Sequence, residues 1–356
     1  MEKKLFVWGK QRRKLVVDNQ RSIKSKRTMI SHTSAQKRNI RNLMMLIGIV
    51  IVVCAGYLFV NAYPENPKLF RYILSLRFPT LVVMLIAAFA IGSASIIFQS
   101  IINNRIVTPC LLGMNSMYTV VHTAIVFIAG SGSMIATNSN LSFAIDLVVM
   151  SISATFVYAY LFQKTGNNVL YVLLIGTVLS SFFGSIQSTM IRVMDPNEYD
   201  ALLTTLVADF NHVNSEVILF SLGLLLCLVI FLWKELKLLD VMILGKEQAI
   251  NLGVNYDSVI RKLLLGVVLC IAIATAMVGP ISFLGLIIAN LARQFFKTHK
   301  HSYLVVGSAL MGMLAMIAGQ LISQHVFSYA VPISTFITIG GGIYFLYLLL
   351  FKKGDI

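Results

Sequence analysis

The amino-acid sequence predicts an all-α integral membrane protein with about ten transmembrane helices, and three observations carry that prediction. Mean hydropathy is +0.82, with 57% hydrophobic against 12% charged residues, a composition that no soluble domain can bury. Ten apolar stretches follow one another from about Leu43 to Phe351, separated by short polar connections. Several reach the roughly 20 residues that a helix needs to cross about 30 Å of hydrocarbon. Lipid offers the backbone no hydrogen-bond partner, so such segments must be helical. A transmembrane barrel would instead show alternating strands of about 10 residues, a pattern the sequence does not have.

The first span, 42–62, follows a long basic segment and has no small-residue cleavage site, so it reads as an anchor and not as a signal peptide. The second, 79–102, carries Ala87, Ala88, Ala90, Gly92, Ser93, Ala94 and Ser95, small residues that let another helix come close. The third, 109–130, opens on Pro109 after the polar turn Asn103-Asn104-Arg105, the position where a missing N–H costs a helix least. Spans 141–163 and 169–192 flank Lys164, and 213–233 follows the acidic stretch Asp195, Glu198, Asp200. A long polar loop, 234–262, leads into 260–279. Gly279-Pro280 then forces a sharp reversal, because proline lacks the donor that a continuing helix needs. It sets off the short eighth span, 281–296, which reads as a helix tucked against its neighbours. Spans 303–326 and 333–351 complete the set, the last holding Gly340–Gly342, which either loosens that helix or packs closely.

Charge sets the orientation, because Lys and Arg stay on the cytoplasmic side of short loops. With both termini in the cytoplasm, all 29 Lys and Arg residues fall inside except Lys68, Arg71, Arg77 and Arg192. The acidic run falls outside, in agreement. The formal charge of +15 therefore reflects topology and contact with anionic lipid, and not nucleic-acid binding. The 1–41 tail, rich in basic residues, is expected to be disordered or lipid-associated, with Met29 as an alternative start. The remainder, 42–353, reads as a single transmembrane domain.

Catalytic and metal chemistry find little support. Cys54, Cys110, Cys227 and Cys270 lie in apolar spans at no metal-ligand spacing and read as small hydrophobes. There is no P-loop, no His-Glu-x-x-His and no Ser/His/Asp or paired-carboxylate spacing. Of the six histidines, His122 in the third span either lines a polar path or packs, while the other five read as solvent or interface residues. An ion-coupled transporter would need charged residues at mid-membrane depth, whereas Asp146 and Arg192 are placed near span ends.

The long loop contains Leu244-Gly245-Lys246-Glu247-Gln248-Ala249-Ile250-Asn251-Leu252-Gly253-Val254. Two glycines bracket a short helix-length segment in which apolar and polar residues alternate. Periodicity alone leaves two destinations open, the membrane surface or a groove on another protein.

That segment resembles the coupling-helix motif of permeases in the iron–siderophore and vitamin B12 import family of ABC transporters, the FecCD or BtuC-like type II importers. Other segments match in order. Leu76-Arg77-Phe78-Pro79 resembles the family's approach to the second span. Gln99 through Asn103-Asn104-Arg105 to Pro109 and Gly113 resembles its bend between spans two and three. Gly279-Pro280-Ile281-Ser282-Phe283-Leu284-Gly285-Leu286, followed by Asn290 and Arg293, resembles its Gly-Pro-Ile-Gly-Phe signature. Val331-Pro332-Ile333 with Gly340–Gly342 resembles its last span. Asp195-Pro196 and the residues after it resemble the family's outer segment, then depart through Asn211, His212 and Asn214, candidates for an outer gate. That departure, with Arg105-Ile106-Val107-Thr108-Pro109, resembles the subgroup importing catecholate-type ferric siderophores such as anguibactin and petrobactin.

The resemblance implies a permease that binds no cofactor itself, with ATP held by a separate ABC ATPase dimer. It implies a second permease, as homo- or heterodimer, and a siderophore-binding protein outside a bacterial cytoplasmic membrane. Heme or cobalamin is the alternative cargo. ATPase coupling falls to Gly245, Lys246, Glu247, Ala249, Leu252 and Gly253, and binding-protein docking to Arg77 helped by Arg71 or Lys68. Gln320 and Gln324 stand where the family often carries Asp and Arg. Asn115, Ser116 and Gln187 are the polar candidates for the translocation path, unless they serve as interhelical hydrogen bonds. A tag inserted between Lys246 and Gly253 should react with an impermeant reagent only after cells are permeabilised, whereas one beside Asp200 should react in intact cells.

Overall fold

A computed structural model of the chain describes residues 36–60, 67–130, 132–165, 169–208, 210 and 214–351, all helix and connecting turns. Most of the expected basic tail and the gate candidates Asn211 and His212 lie outside these residues. In order the helices are α1 (Gln36–Phe59), α2 (Pro67–Ile102), a 3-10 turn (Pro109–Leu112), α3 (Met114–Ala129), the single turn α4 (Met134–Thr137), α5 (Ser139–Thr165), α6 (Val169–Val193), α7 (Pro196–Leu206), α8 (Ser215–Met242), α9 (Lys246–Asn251), α10 (Tyr256–Val278), α11 (Leu284–Phe296), α12 (His301–His325) and α13 (Ile333–Phe351). Seven are long and apolar enough to cross a bilayer, and three shorter apolar helices occupy the third, eighth and tenth expected spans.

Four helix boundaries differ from the sequence reading. The first helix starts at Gln36, taking in residues assigned to the tail. Helix α2 begins at Pro67 and runs through Pro79 without breaking. Its 36 residues give roughly 54 Å at 1.5 Å per residue, well beyond the hydrocarbon thickness, so Lys68 and Arg71 stand exposed on a projecting turn. Helix α8 continues to Met242 and α10 starts at Tyr256, which shrinks the expected 234–262 loop to a compact elbow around α9. The outer segment after α6 folds as α7, begun by Pro196 and capped by Asp195, whose side chain accepts from the Asn197 amide.

Helices α2 and α10 form the centre, with 78% and 72% of their most apolar stretches buried against 6% for α6, which leaves α6 to face lipid or a partner. The small residues of α2 are what permit this. A Cβ on Gly92 would sit 2.9 Å from Ser308 Oγ of α12, and one on Gly285 of α11 only 2.0 Å from Ser95 Oγ. Cys270 is buried in the same core, and Cys227 is exposed on α8.

The short helix α11 starts from Phe283 in the left-handed region (φ 61°), an unusual conformation for a bulky residue. Its Cβ is thereby brought against α13, where a Cβ on Gly341 would lie at 2.3 Å, while Gly340 and Gly342 face open space. The triple glycine therefore contains one packing position and two free ones. Gly341→Leu should cost about 1–3 kcal/mol by overpacking and lower the melting temperature in detergent, with Gly340→Ala close to neutral.

Candidate functional site

The elbow is built by two glycines in backbone conformations closed to other residues. Gly245 (φ 102°) ends α8 and opens α9, and Gly253 (φ 84°) closes it. Ala249 is completely buried, and its carbonyl accepts from the Val254 amide at 3.0 Å, so the short helix is seated by one small residue. Lys246 bonds at home, 3.3 Å from Asp257 Oδ1 and over the Tyr256 ring. Lys262 reaches Glu235 at 3.0 Å and ties α10 to α8. The outward face is apolar: Leu244, Ile250 and Leu252 are 54%, 50% and 64% exposed, with Glu247 exposed beside them. The coupling candidates thus divide into residues that shape the elbow and residues, Glu247 and Leu252, offered to something outside it.

Behind the elbow the structure unites two motifs far apart in sequence. After α2 the chain turns tightly at Asn103 (φ 54°), and the Asn104 side chain accepts from the Ile106 amide at 2.8 Å. The Arg105 carbonyl then accepts from Gln99 Nε2 at 2.9 Å and from Asn290 Nδ2 of α11 at 3.1 Å. Arg293, one turn beyond Asn290, donates to Gln99 Oε1 at 3.4 Å and to Ser100 Oγ at 3.1 Å. The α2–α3 turn is therefore closed by its own backbone, where the Asn104 amide donates to the Gln99 carbonyl at 3.0 Å, and is held further by side chains of α2 and α11.

At the outer end Arg77 does more than sequence spacing indicates. Its Nη1 donates to the carbonyls of Tyr57 (3.0 Å), Leu58 (3.3 Å) and Val60, the last turn of α1, and its guanidinium lies 5.8 Å from the Tyr57 ring. Those carbonyls have no partner within the helix, so a cation there satisfies them and opposes the helix dipole. Arg77 also borders an outer cavity of about 680 Å³ with Tyr57, Thr80, Phe210 and Tyr329. Burial raises the Tyr329 phenol above its ordinary value, against the pull of Arg77. Asn214, a gate candidate, caps α8 by accepting from the Glu216 amide.

Two of the three path candidates bond to another segment, and the third makes a contact within α3. Asn115 donates to Ser282 Oγ at 3.4 Å, Gln187 donates to Thr123 Oγ1 of α3 at 3.3 Å, and Ser116 is half-buried with its carbonyl accepting from Thr119. His122 is packed and hydrogen-bonded, one of the two readings its sequence position left open. Its partner Asp146 lies in the third turn of α5, 2% exposed, with Oδ2 2.7 Å from His122 Nδ1. Its Oδ1 and His122 Nε2 find no partner among the described residues. Sequence reasoning missed the pair because its members sit 24 residues apart on different helices. His301, read from sequence as a solvent or interface residue, is wholly buried where α12 meets α8 and α2.

Comparison with known proteins follows from this geometry. The profile of the FecCD transport family matches residues 43–351. The petrobactin import system permease protein YclO of Bacillus subtilis (strain 168) is 37% identical over 88% of this chain and 98% of its own. The petrobactin import system permease protein FatC of Bacillus anthracis is 30% identical over 87% of this chain and 88% of its own. Among solved structures, a chain described as an inward-facing conformation of a metal-chelate type ABC transporter superposes with a TM-score of 0.73 at 22% identity. It covers 87% of this chain and 99% of its own length, and bears on the fold alone.

The buried pair can be tested directly. His122→Ala leaves the Asp146 carboxylate buried and unpaired, and should destabilise the protein by about 3–5 kcal/mol. The double variant His122→Leu/Asp146→Leu should recover most of that loss, as read by thermal unfolding and by the yield of monodisperse protein.

Proposed function

The chain belongs to the FecCD transport family, and from that premise we propose that it is the membrane-spanning subunit of an ABC importer carrying a ferric siderophore of the catecholate type. The observation that carries the reading is the likeness to two petrobactin import permeases, which covers 88% and 87% of this chain. In this reading a second permease completes the path, and a binding protein outside the bacterial cytoplasmic membrane delivers the chelate. The iron travels inside its chelator, and ATP binds to the partner ATPase and not to this chain.

The elbow supplies the mechanical part. A nucleotide-driven partner has to grip something rigid, and α9 offers a six-residue helix locked by two glycines and one buried alanine. Exposed Ile250 and Leu252 are anchors suited to a hydrophobic groove, with Glu247 giving the contact its polarity. The charge distribution supports cytoplasmic termini and a cytoplasmic elbow. Arg77, Arg71 and Lys68 stand at the opposite end, where they favour an acidic partner surface.

Asp146 and His122 form a buried titratable pair of the kind that an ion-coupled transporter would use. Family membership and the outward apolar elbow now favour the ATP-driven reading instead. A strain lacking this permease should lose at least tenfold of its iron uptake from ferric petrobactin, and uptake unchanged for a panel of ferric chelates would overturn the cargo assignment. In the wild-type complex Leu252→Asp should reduce both import and co-purification of the ATPase by at least tenfold, with the permease itself still folded.

A further inference from the structure

We propose that Asp240, His301 and Ser100 are positioning residues that join the elbow to the α2–α3 turn through Arg293, so that displacement of α9 reaches the membrane path along a hydrogen-bonded relay. The proposal rests on the reading that α9 receives the push of an ATPase.

Asp240 lies in the last turn of α8, just ahead of Gly245 and α9. Its Oδ1 accepts from the backbone amide of His301 at 2.9 Å and also meets His301 Nδ1, which pins the start of α12 to the end of α8. His301 is wholly buried, and its Nε2 lies 2.8 Å from Ser100 Oγ on α2. Ser100 in turn accepts from Arg293 Nη2, and Arg293 and Gln99 lead on to the Arg105 carbonyl. Four helices meet in this string, and its members come from positions up to 201 residues apart.

The protons order the relay. Facing a carboxylate, Nδ1 carries the hydrogen and donates, so Nε2 of the neutral ring accepts. Ser100 Oγ receives the Arg293 N–H, and its own proton has two acceptors at 2.8 Å, the Ile96 carbonyl and, in this tautomer, His301 Nε2. The string therefore runs Arg293 to Ser100 to His301 to Asp240, from a fixed cation to an anion through two neutral groups. Each bond polarises the next, which stiffens the whole. The order Ser–His–Asp is also that of a hydrolase triad, an arrangement sequence spacing did not reveal. Here the serine oxygen is already occupied by a cationic donor that draws density from it, so the group holds position and is not a nucleophile.

A close-packed interior cannot absorb a shift at one end of such a string, so movement of α8 must move Ser100 and the turn that Arg293 and Gln99 hold. Loss of the serine hydroxyl removes the joint between α12 and α2 while leaving both helices packed.

The test uses the complete complex, permeases, ATPase and binding protein, in proteoliposomes with ferric petrobactin as the probe cargo. Ser100→Ala should leave assembly and ATP hydrolysis within twofold of the wild type while import falls at least tenfold, raising the ATP consumed per chelate. Ser100→Thr, which keeps the hydroxyl, should restore import. Spin labels at Gln248 and Arg105 should report a nucleotide-dependent distance change that shrinks in the alanine variant. Import, hydrolysis and assembly falling in proportion would show a merely structural role and overturn the proposal, as would unchanged import in Ser100→Ala. Failure of the underlying reading would look different, since Leu252→Asp would then leave ATPase association and import intact.

Discussion

Close packing of α2 through small residues is the constraint on which the rest of this structure depends. A bilayer supplies little hydrophobic drive between helices, so association rests on how near two backbones can come. Gly92 and Ala88 admit α12, and Ser95 admits Gly285 of α11, at distances that leave no room for larger side chains. Because α2 is held at the centre over most of its length, its two ends become fixed reference points. One end presents Arg77 to α1, and the other presents Gln99 and Ser100 to α11 and α12.

Polar chemistry in the membrane is distributed accordingly. Each buried polar group has a strong incentive to find a partner, since lipid provides none. Asn290 meets a carbonyl on another segment, Gln187 meets Thr123, and His122 meets Asp146. These bonds cross between helices, and they define which helices move together. The inner half is organised around the Arg105 carbonyl, the outer half around the end of α1. Between the two, the helices present mainly apolar surface, which suits rigid-body rocking of a permease between inward and outward states.

The elbow shows the same economy at smaller scale. Two glycines set the backbone path, one alanine seats the helix, and one lysine ties it to α10. Residues that share one motif in sequence thus have opposite tasks. Lys246 and Ala249 secure the elbow to α10 and the core, while Glu247 and Leu252 remain exposed.

Fold class, span order and the existence of the elbow were legible in the sequence alone, because each depends on local properties: hydropathy over about 20 residues, proline and glycine placement, and charge at span ends. The small-residue stripe of α2 and the glycine-bracketed α9 were readable for the same reason. Helix ends were less so, since a helix outside the hydrocarbon is stabilised by capping and neighbours, which carried α2 back to Pro67 and α8 on to Met242. What only the tertiary structure decided is which distant residues meet. Asp146 with His122, Asp240 with His301, and Ser100 with Arg293 are each united by packing between helices, and no period along the chain encodes that. The role of Arg77 as a cap for α1, and the division of Gly340–Gly342 into one packed and two open positions, were set likewise by neighbours that only folding brings near.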